Sequence, residues 1–528
     1  MRLLKITIMN KILFPLVALF LGASLVGCTK NFEEYNRDLG GVTRDDLGSL
    51  PKGGSQVNKL AQWLIPNQEN GYQMTFDMLS PYSGFAGAPS FVSDFAAYSP
   101  RIGWNDYPME DTFTKHLLPD YMSVYGATDG DINHPAMALA TITRVAITHY
   151  ISDIYGPLPY SKVNGANLSV PYDTQEELYK NMLEDLKKAS ESLMGPAGAS
   201  AMYADYDEMY GGNLRNWATY ARSLILRMSI RISGVAPELA KEYAEWAVAN
   251  GVIESNALNA KTPSTDNPLA KTNGWNDSRV GADIVEYLLA FNDPRTDAYF
   301  TKVRDGKPFG LRSPSSSIKG NAAIISSYSS PNITSSSPIY LLTAAEVAFL
   351  KAEGKLLGWN VSDKSAKELY EEGIRLSCEQ WGVELPEEYL QNTNKRGGFV
   401  DKVLPETSLP DFSSDITVNW DDANGDVEKQ KAKIITQKWI ALFPYNTVEA
   451  WSEWRRTGYP NLLPAVVNSS SGEVQQITQV NGRDTGGMQR LKFVSSEKTQ
   501  NATNVAAAIQ DIGGKDSYGA PLWWAKRN

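Results

Sequence analysis

Histidine and cysteine are scarce in this 528-residue chain, which has His116, His134 and His149 and only Cys28 and Cys378. Two cysteines exclude a disulfide framework. There is no Gly-x-Ser-x-Gly elbow, no His-Glu-x-x-His pair and no phosphate loop, so the common nucleophile, zinc and nucleotide chemistries have no motif to stand on. Positive charge is also short, with 50 Lys and Arg against 60 Asp and Glu and a formal net charge of -10. A nucleic-acid partner would need clustered basic residues, and this balance argues against one. After residue 26 no apolar run is long enough to cross a membrane. The remaining composition, 42% hydrophobic and 10% aromatic, is that of a folded protein with a large core.

The one long apolar run lies at the start. Arg2, Lys5 and Lys11 precede Ile12 to Val26, a run of about 15 residues that falls short of the ~20 a permanent spanning helix needs and reads as a signal peptide over residues 1–27. It ends in Leu25-Val26-Gly27-Cys28, an order similar to the bacterial lipobox, in which the cysteine is acylated and becomes the new N-terminus. Losing Arg2, Lys5 and Lys11 moves the formal charge from -10 to -13. The N-terminal lipid is then the expected membrane anchor, and several acyl chains hold more firmly than one. The pair Glu33-Glu34 soon after Cys28 is similar to the signal that places Bacteroidetes lipoproteins on the outer face of the outer membrane. With Cys28 lipidated, Cys378 has no partner and is expected as a small buried apolar residue.

Residues 28–60 are rich in Gly, Asp, Asn and Ser and are expected as a tether, with the folded domain over 61–528. Helical hairpins are expected mainly in 130–252, 341–382 and 432–460. Thr174-Gln175-Glu176-Glu177 has the capping-box order, and Leu178, Met182, Leu186, Ala189 and Leu193 follow at helical spacing. Trp217, Tyr220, Ala221, Leu224 and Met228 form a second stripe, and a further helix begins after Pro237. Thr343-Ala344-Ala345-Glu346 is another capping box, leading to Val347, Leu350 and Gly354; its partner carries Leu369, Tyr370, Gly373, Ile374 and Cys378. Small residues at such contacts are similar to tetratricopeptide pairs, which bury their apolar faces by stacking. The fold class expected is mainly α, with long loops over 253–340, 383–430 and 462–520 forming a ligand-facing region.

Several ordered stretches resemble the SusD/RagB family of outer-membrane nutrient-binding lipoproteins of Bacteroidetes, in its SusD-like branch. Asn31 to Asn36 looks like the family's opening. His149-Tyr150-Ile151-Ser152-Asp153-Ile154-Tyr155-Gly156-Pro157-Leu158-Pro159-Tyr160 matches its Asp-x-Tyr-Gly-x-x-Pro-Tyr signature. Trp217 to Ser233 is similar to its arginine-bearing helix, and Asn292 to Arg295 and Leu341 to Gly358 match two more segments. Gln437 to Phe443 and then Glu449-Ala450-Trp451-Ser452-Glu453-Trp454-Arg455-Arg456-Thr457-Gly458-Tyr459-Pro460 complete the series. The family's usual Asn-x-x-Pro after the opening is here Arg37 to Gly40. The resemblance implies four tetratricopeptide-like pairs as scaffold, a looped ligand-facing half, and a SusC-like TonB-dependent transporter on which the lipoprotein sits as a lid. It also implies an oligosaccharide ligand, or a peptide as in some relatives, and no catalytic residues.

Sugar recognition needs exposed aromatic faces for the C–H side of the ring and planar polar groups for the hydroxyls. The candidate ligand-binding residues are Tyr82, Tyr98, Arg101, Trp104, Asn105 and Tyr107 in one Gly/Ser/Pro-rich stretch, and Trp275, Asn276 and Arg279 in another, with Trp104 and Trp275 foremost. Asp153, Tyr155, Tyr160, Arg455 and Arg456 read as scaffold; an arginine beside tryptophan is also suited to clamping an acidic ligand. Asp421, Asp422, Asn424 and Asp426 surround Gly425 as calcium ligands do, without the spacing of an EF-hand. No metal and no cofactor is expected; calcium at this loop is the alternative. Two rival readings remain: a surface glycoside hydrolase using a carboxylate pair from the acidic loops, and a tetratricopeptide-type scaffold that binds other proteins.

Overall fold

Helix starts in this chain are written by side chains that accept orphan N–H groups. A computed structural model describes residues 54–66, 69–89, 93–164, 169–195, 203–312, 318 and 320–526. The signal peptide, Cys28 and the family-like opening therefore lie outside the described residues. Thr174 and Glu177 form the expected capping box, at 3.2 Å for the Glu177 N–H to the Thr174 hydroxyl, and launch Gln175–Met194. Its predecessor Pro135–Tyr155 starts from His134, whose Nδ1 accepts the Ala136 N–H, and has Pro135 in the first turn. These two helices pack as one hairpin. A second hairpin pairs Leu214–Ile232 with Pro237–Asn250, a third pairs Ala344–Leu356 with Ala366–Gln380, and Val427–Leu442 with Thr447–Thr457 completes four. The mainly helical, tetratricopeptide-like fold expected from the sequence is present.

The third hairpin differs from its expected start. Thr343 accepts the Glu346 N–H, but the Glu346 carboxylate does not return to cap Thr343. It is taken by Arg227 of the second hairpin, at 2.7 Å to each oxygen. A charged bidentate pair outweighs one neutral cap hydrogen bond. The full capping box of this hairpin is Ser365 with Glu368, on its second helix. Gly373 lets the two helices touch, since a Cβ there would lie 2.7 Å from the Phe349 ring.

All four hairpins converge on one buried ionic seam. Arg231, fully enclosed, reaches Glu449 and Glu453 of the fourth hairpin and Asp153 of the first. Lys438 lies 2.8 Å from Glu449 and 3.4 Å from Glu453. Arg456 joins Glu353 to Glu453, at 2.7 Å to each. Arg455 donates to the carbonyls of Asp153 and Gln489 at 2.6 and 2.9 Å, and Tyr179 donates to Asp153 at 2.6 Å. Burial alone would raise the Glu453 carboxyl, but Arg456, Lys438 and Arg231 outweigh it and hold it at about 2. Burial lowers His149 to about 4 against the opposing pull of Asp153, so it is neutral here at pH 7. Asp153, Arg455 and Arg456, the motif residues of the sequence, are thus scaffold. Tyr155 and Tyr160 are equally enclosed, Tyr160 donating to Asp185 at 2.6 Å.

The strands are few and short. Ala86–Gly87 pairs antiparallel with Arg279–Val280, and Ala260–Thr262 with Ile339–Leu342. Thr478–Val480 pairs with Arg483–Thr485 across Asn481-Gly482, both left-handed at φ 52° and 77°, as a two-residue hairpin turn requires. Two expectations are corrected. The stretch assigned to the tether contains the helix Gly54–Ala61, because Val57 and Leu60 give one turn of apolar spacing and both are buried in the main core. The segments read as long loops contain the helices Pro268–Gly274, Ala282–Phe291 and Ala502–Asp511. Cys378 is a free, buried thiol. Among the described residues no helix is long and apolar enough to cross a membrane.

Candidate functional site

The loop carrying Trp275 is held from both ends. Its helix, Pro268–Gly274, starts at Asn267, whose side-chain oxygen accepts the Leu269 and Ala270 N–H groups. The same amide donates to the Ser337 carbonyl at 2.9 Å and the Tyr445 hydroxyl at 3.0 Å, which fixes the helix to the core. The helix stops at Trp275, and Asn276 turns the chain through the left-handed region at φ 65°, which asparagine tolerates better than most residues. Arg279 then opens the strand paired with Gly87. Its guanidinium donates to the carbonyls of Asn273, Ser278 and Ile325 at 3.2, 2.7 and 3.3 Å, and to the Asn276 side chain. Burial lowers its pKa from the ordinary arginine value. Asp277 accepts from Gln73 at 2.7 Å. Below the loop, burial pushes the Asp77 carboxyl up to about 6 beside the Thr272 and Ser278 hydroxyls. On this rigid turn the Trp275 side chain stands 43% exposed.

The second aromatic stretch is built around Ile102–Tyr107. Asn105, buried, bonds the Lys492 main chain in both directions, at 3.0 and 3.1 Å. Asp106 accepts the Ser495 N–H at 3.0 Å, and the Tyr155 hydroxyl donates to the Asn105 carbonyl. Arg101 lies over the Trp104 ring at 5.0 Å and donates to Asp94 at 2.9 Å. Trp104 and Tyr107 are half-buried, and Ile102 beside them is 69% exposed. The short helix Glu69–Thr75 packs against both Pro268–Gly274 and Ile102–Tyr107, so the two stretches flank one element.

Four of the expected ligand contacts are turned inward. The Tyr82 ring lies tilted against Trp451, with centroids 5.2 Å apart, and 6.3 Å from Tyr98, and both tyrosines are core residues. Asn105 and Arg279 are buried and shape their own loops. Trp275, Trp104, Arg101, Tyr107 and Asn276 retain exposed surface. Gln73 and Asp77 were not marked by the sequence pattern, for nothing near residues 69–79 separates a loop-pinning amide from an ordinary helix residue.

The calcium alternative is not supported by the geometry. Asp421 takes Lys367 at 2.8 and 2.9 Å, Asp422 takes Thr417 and Lys433, and Asp426 caps Val427–Leu442. These carboxylates point to three different partners, and among the described residues no three acidic, histidine or cysteine side chains gather as a metal site.

Similarity to known proteins now has a geometry to attach to. A family model for SusD-like proteins, the Susd and RagB outer membrane lipoproteins, matches residues 34–525. A SusD homologue of Bacteroides thetaiotaomicron is 36% identical, with 90% of this chain and 99% of that one covered and a TM-score of 0.81. A SusD homologue of Bacteroides uniformis is 34% identical over the same shares, with a TM-score of 0.82. A chitin-binding SusD homologue of Flavobacterium johnsoniae is 33% identical, again over 90% and 99%, with a TM-score of 0.82. No curated protein sequence matches. The chain belongs to the SusD-like family of outer membrane lipoproteins.

Proposed function

We propose that this lipoprotein captures an oligosaccharide at the loops carrying Trp275 and Trp104 and passes it, chemically unchanged, to a SusC-like TonB-dependent transporter. The observation that carries the reading is Trp275: a large, exposed indole on a turn whose backbone is fixed by Arg279, Asp277 and Asn267. A rigid aromatic platform offers area to the C–H face of a sugar without losing much conformational entropy on binding. Arg101, Asn276 and Tyr107 supply donors and acceptors for hydroxyls nearby. The chitin-binding relative makes N-acetylglucosamine oligomers the first ligands to try.

The test is binding of the chain begun after Cys28 to a panel of oligosaccharides and peptides, with Trp104→Ala and Trp275→Ala beside the parent. Saturable binding without turnover, weakened at least tenfold by Trp275→Ala, is expected. Release of reducing ends would replace this reading with the hydrolase, and binding to nothing on the panel would replace it with the protein-binding scaffold.

A further inference from the structure

A cleft away from both aromatic loops has the size and chemistry of a second ligand site. It lies where the helix Val427–Leu442 meets the hairpin Thr478–Thr485 and the segment 413–422, and has room of about 430 Å³. Three other pockets among the described residues have room of about 30 to 60 Å³, enough for a water or two. None of its lining residues belongs to the Trp104 or Trp275 stretches. Its floor is apolar: Ile416, Ala432 and Tyr459 pack with Ile435 into a small cluster separate from the main core. Its walls are polar, with Ser413, Lys429, Gln479 and Asn481 among them, and the Asn481-Gly482 turn fixes the outer wall.

The charges around the cleft select the class of ligand. Asp422 lies 2.7 Å from Lys433 and accepts from Thr417 at 2.6 Å. Asp426 caps the helix and faces Lys429 at 3.4 Å. Glu428 pairs with Lys431 at 3.2 Å and with Arg483, and Asp415 with Lys395 at 2.8 Å. Each carboxylate therefore has a cation of this chain beside it. A charged ligand would have to displace one of them, whereas a neutral polyol adds hydrogen bonds to the lone pairs and N–H groups that remain.

We propose that this cleft is a second carbohydrate site, which takes one or two neutral sugar units with the ring face on the Ile416, Ala432 and Tyr459 floor and the hydroxyls toward Gln479, Asn481 and Asp422. It is independent of the loop site and stands whether or not that site binds glycan. A chain able to hold a glycan at two separated places keeps hold of one end while the other is released, and the gain is set by the distance the glycan spans.

The test uses the chain carrying Trp275→Ala, so that the loop platform contributes little, and saturation-transfer NMR with glucose, galactose and N-acetylglucosamine as free sugars. Saturable binding of at least one of them is expected, weakened at least tenfold when Lys429→Trp is added to fill the cleft and severalfold when Gln479→Ala is added instead. Lys429 is exposed on a helix surface, so the fold is expected to survive; circular dichroism checks it. Lys429→Trp alone is expected to leave oligosaccharide binding at the loops unchanged. Failure of all three sugars to bind, or binding that Lys429→Trp does not weaken, overturns the proposal.

Discussion

The ionic seam and the Trp275 turn both rest on buried arginines, and they use them in opposite ways. Arg231 and Arg456 bind carboxylates on helices more than 100 positions away in sequence and so hold separate hairpins together. Arg279 spends its donors on carbonyls and an amide, most of them within six residues of itself, and so sets the shape of one loop. The first use fixes which helices meet; the second fixes where an aromatic ring is presented. Arginine suits both because its planar fork makes several directed hydrogen bonds while remaining charged. The two regions should therefore separate cleanly under mutation, with stability lost in one and ligand affinity in the other.

The sharpest break is expected at the seam. Arg231→Met strands Asp153, whose other neighbour His149 is neutral, and leaves Glu449 and Glu453 to Lys438, Arg227 and Arg456; breaking a buried pair in this way costs about 3–5 kcal/mol. A large fall in the urea midpoint is the expected readout. A midpoint close to the parent's would mean that hydrophobic packing alone fixes the hairpin arrangement.

Next in size is a difference in pH response. Burial pushes the Asp484 carboxyl up to about 7 from 3.8, despite hydrogen bonds from Trp454, Leu462 and Asn461. Folding therefore takes up a proton between about pH 4 and 7, and this group's contribution to stability falls as pH rises through that window, by at most about 1.4 kcal/mol per pH unit. Glu453, held at about 2, has the opposite sign: its contribution is present above about pH 4.5 and is lost as pH falls toward 2. Asp484→Asn is expected to flatten the stability slope between pH 5 and 7, measured by denaturant titration at several pH values. A slope identical to the parent's would mean that Asp484 is ionised throughout the window.

At the loop, Trp275→Ala is expected to cost at least tenfold in glycan affinity, about 1.4 kcal/mol, while changing stability by no more than ~0.5 kcal/mol. Arg279→Ala is the control that tests the comparison itself. It removes the side-chain donor from the Asn273, Ser278 and Ile325 carbonyls, of which Asn273 and Ile325 keep a backbone N–H, and is expected to lose affinity together with about 1 kcal/mol of stability. Calorimetry of binding and urea melts on both variants would show the split. Equal loss of stability in the two would place Trp275 in the core rather than on a platform.

The hairpins were legible in the sequence because apolar spacing and caps are local signals. Thr174 with Glu177 and the stripe from Leu178 to Leu193 needed no knowledge of what lies opposite them. Where a residue's partner is distant, the local reading fails: Glu346 has the right position for a capping box and is claimed by Arg227, 119 residues earlier. The helix Gly54–Ala61 was hidden because a single turn of apolar residues inside a Gly- and Ser-rich stretch has the composition of a tether. At the proposed site, composition marked two aromatic loops but not which way each ring faces. Tyr82 and Trp275 occupy similar sequence surroundings; one packs against Trp451 in the core and the other is exposed, a difference set by tertiary packing.

The smallest expected effect concerns calcium, and it separates pattern from geometry once more. Asp421, Asp422, Asn424 and Asp426 have the oxygen-rich, glycine-centred order of a calcium loop. A calcium ion needs about six to eight oxygens converging within about 2.6 Å, and here the oxygens diverge. Asp421 is drawn to Lys367, Asp422 to Lys433 and Thr417, and Asp426 to the first N–H groups of the helix Val427–Leu442. Binding an ion would break these contacts before new ones formed. Adding millimolar calcium, or removing it with a chelator, is expected to leave the melting temperature unchanged within error. A calcium-dependent rise that disappears in Asp426→Asn would show that the loop rearranges around an ion, at the expense of the helix cap that Asp426 now provides.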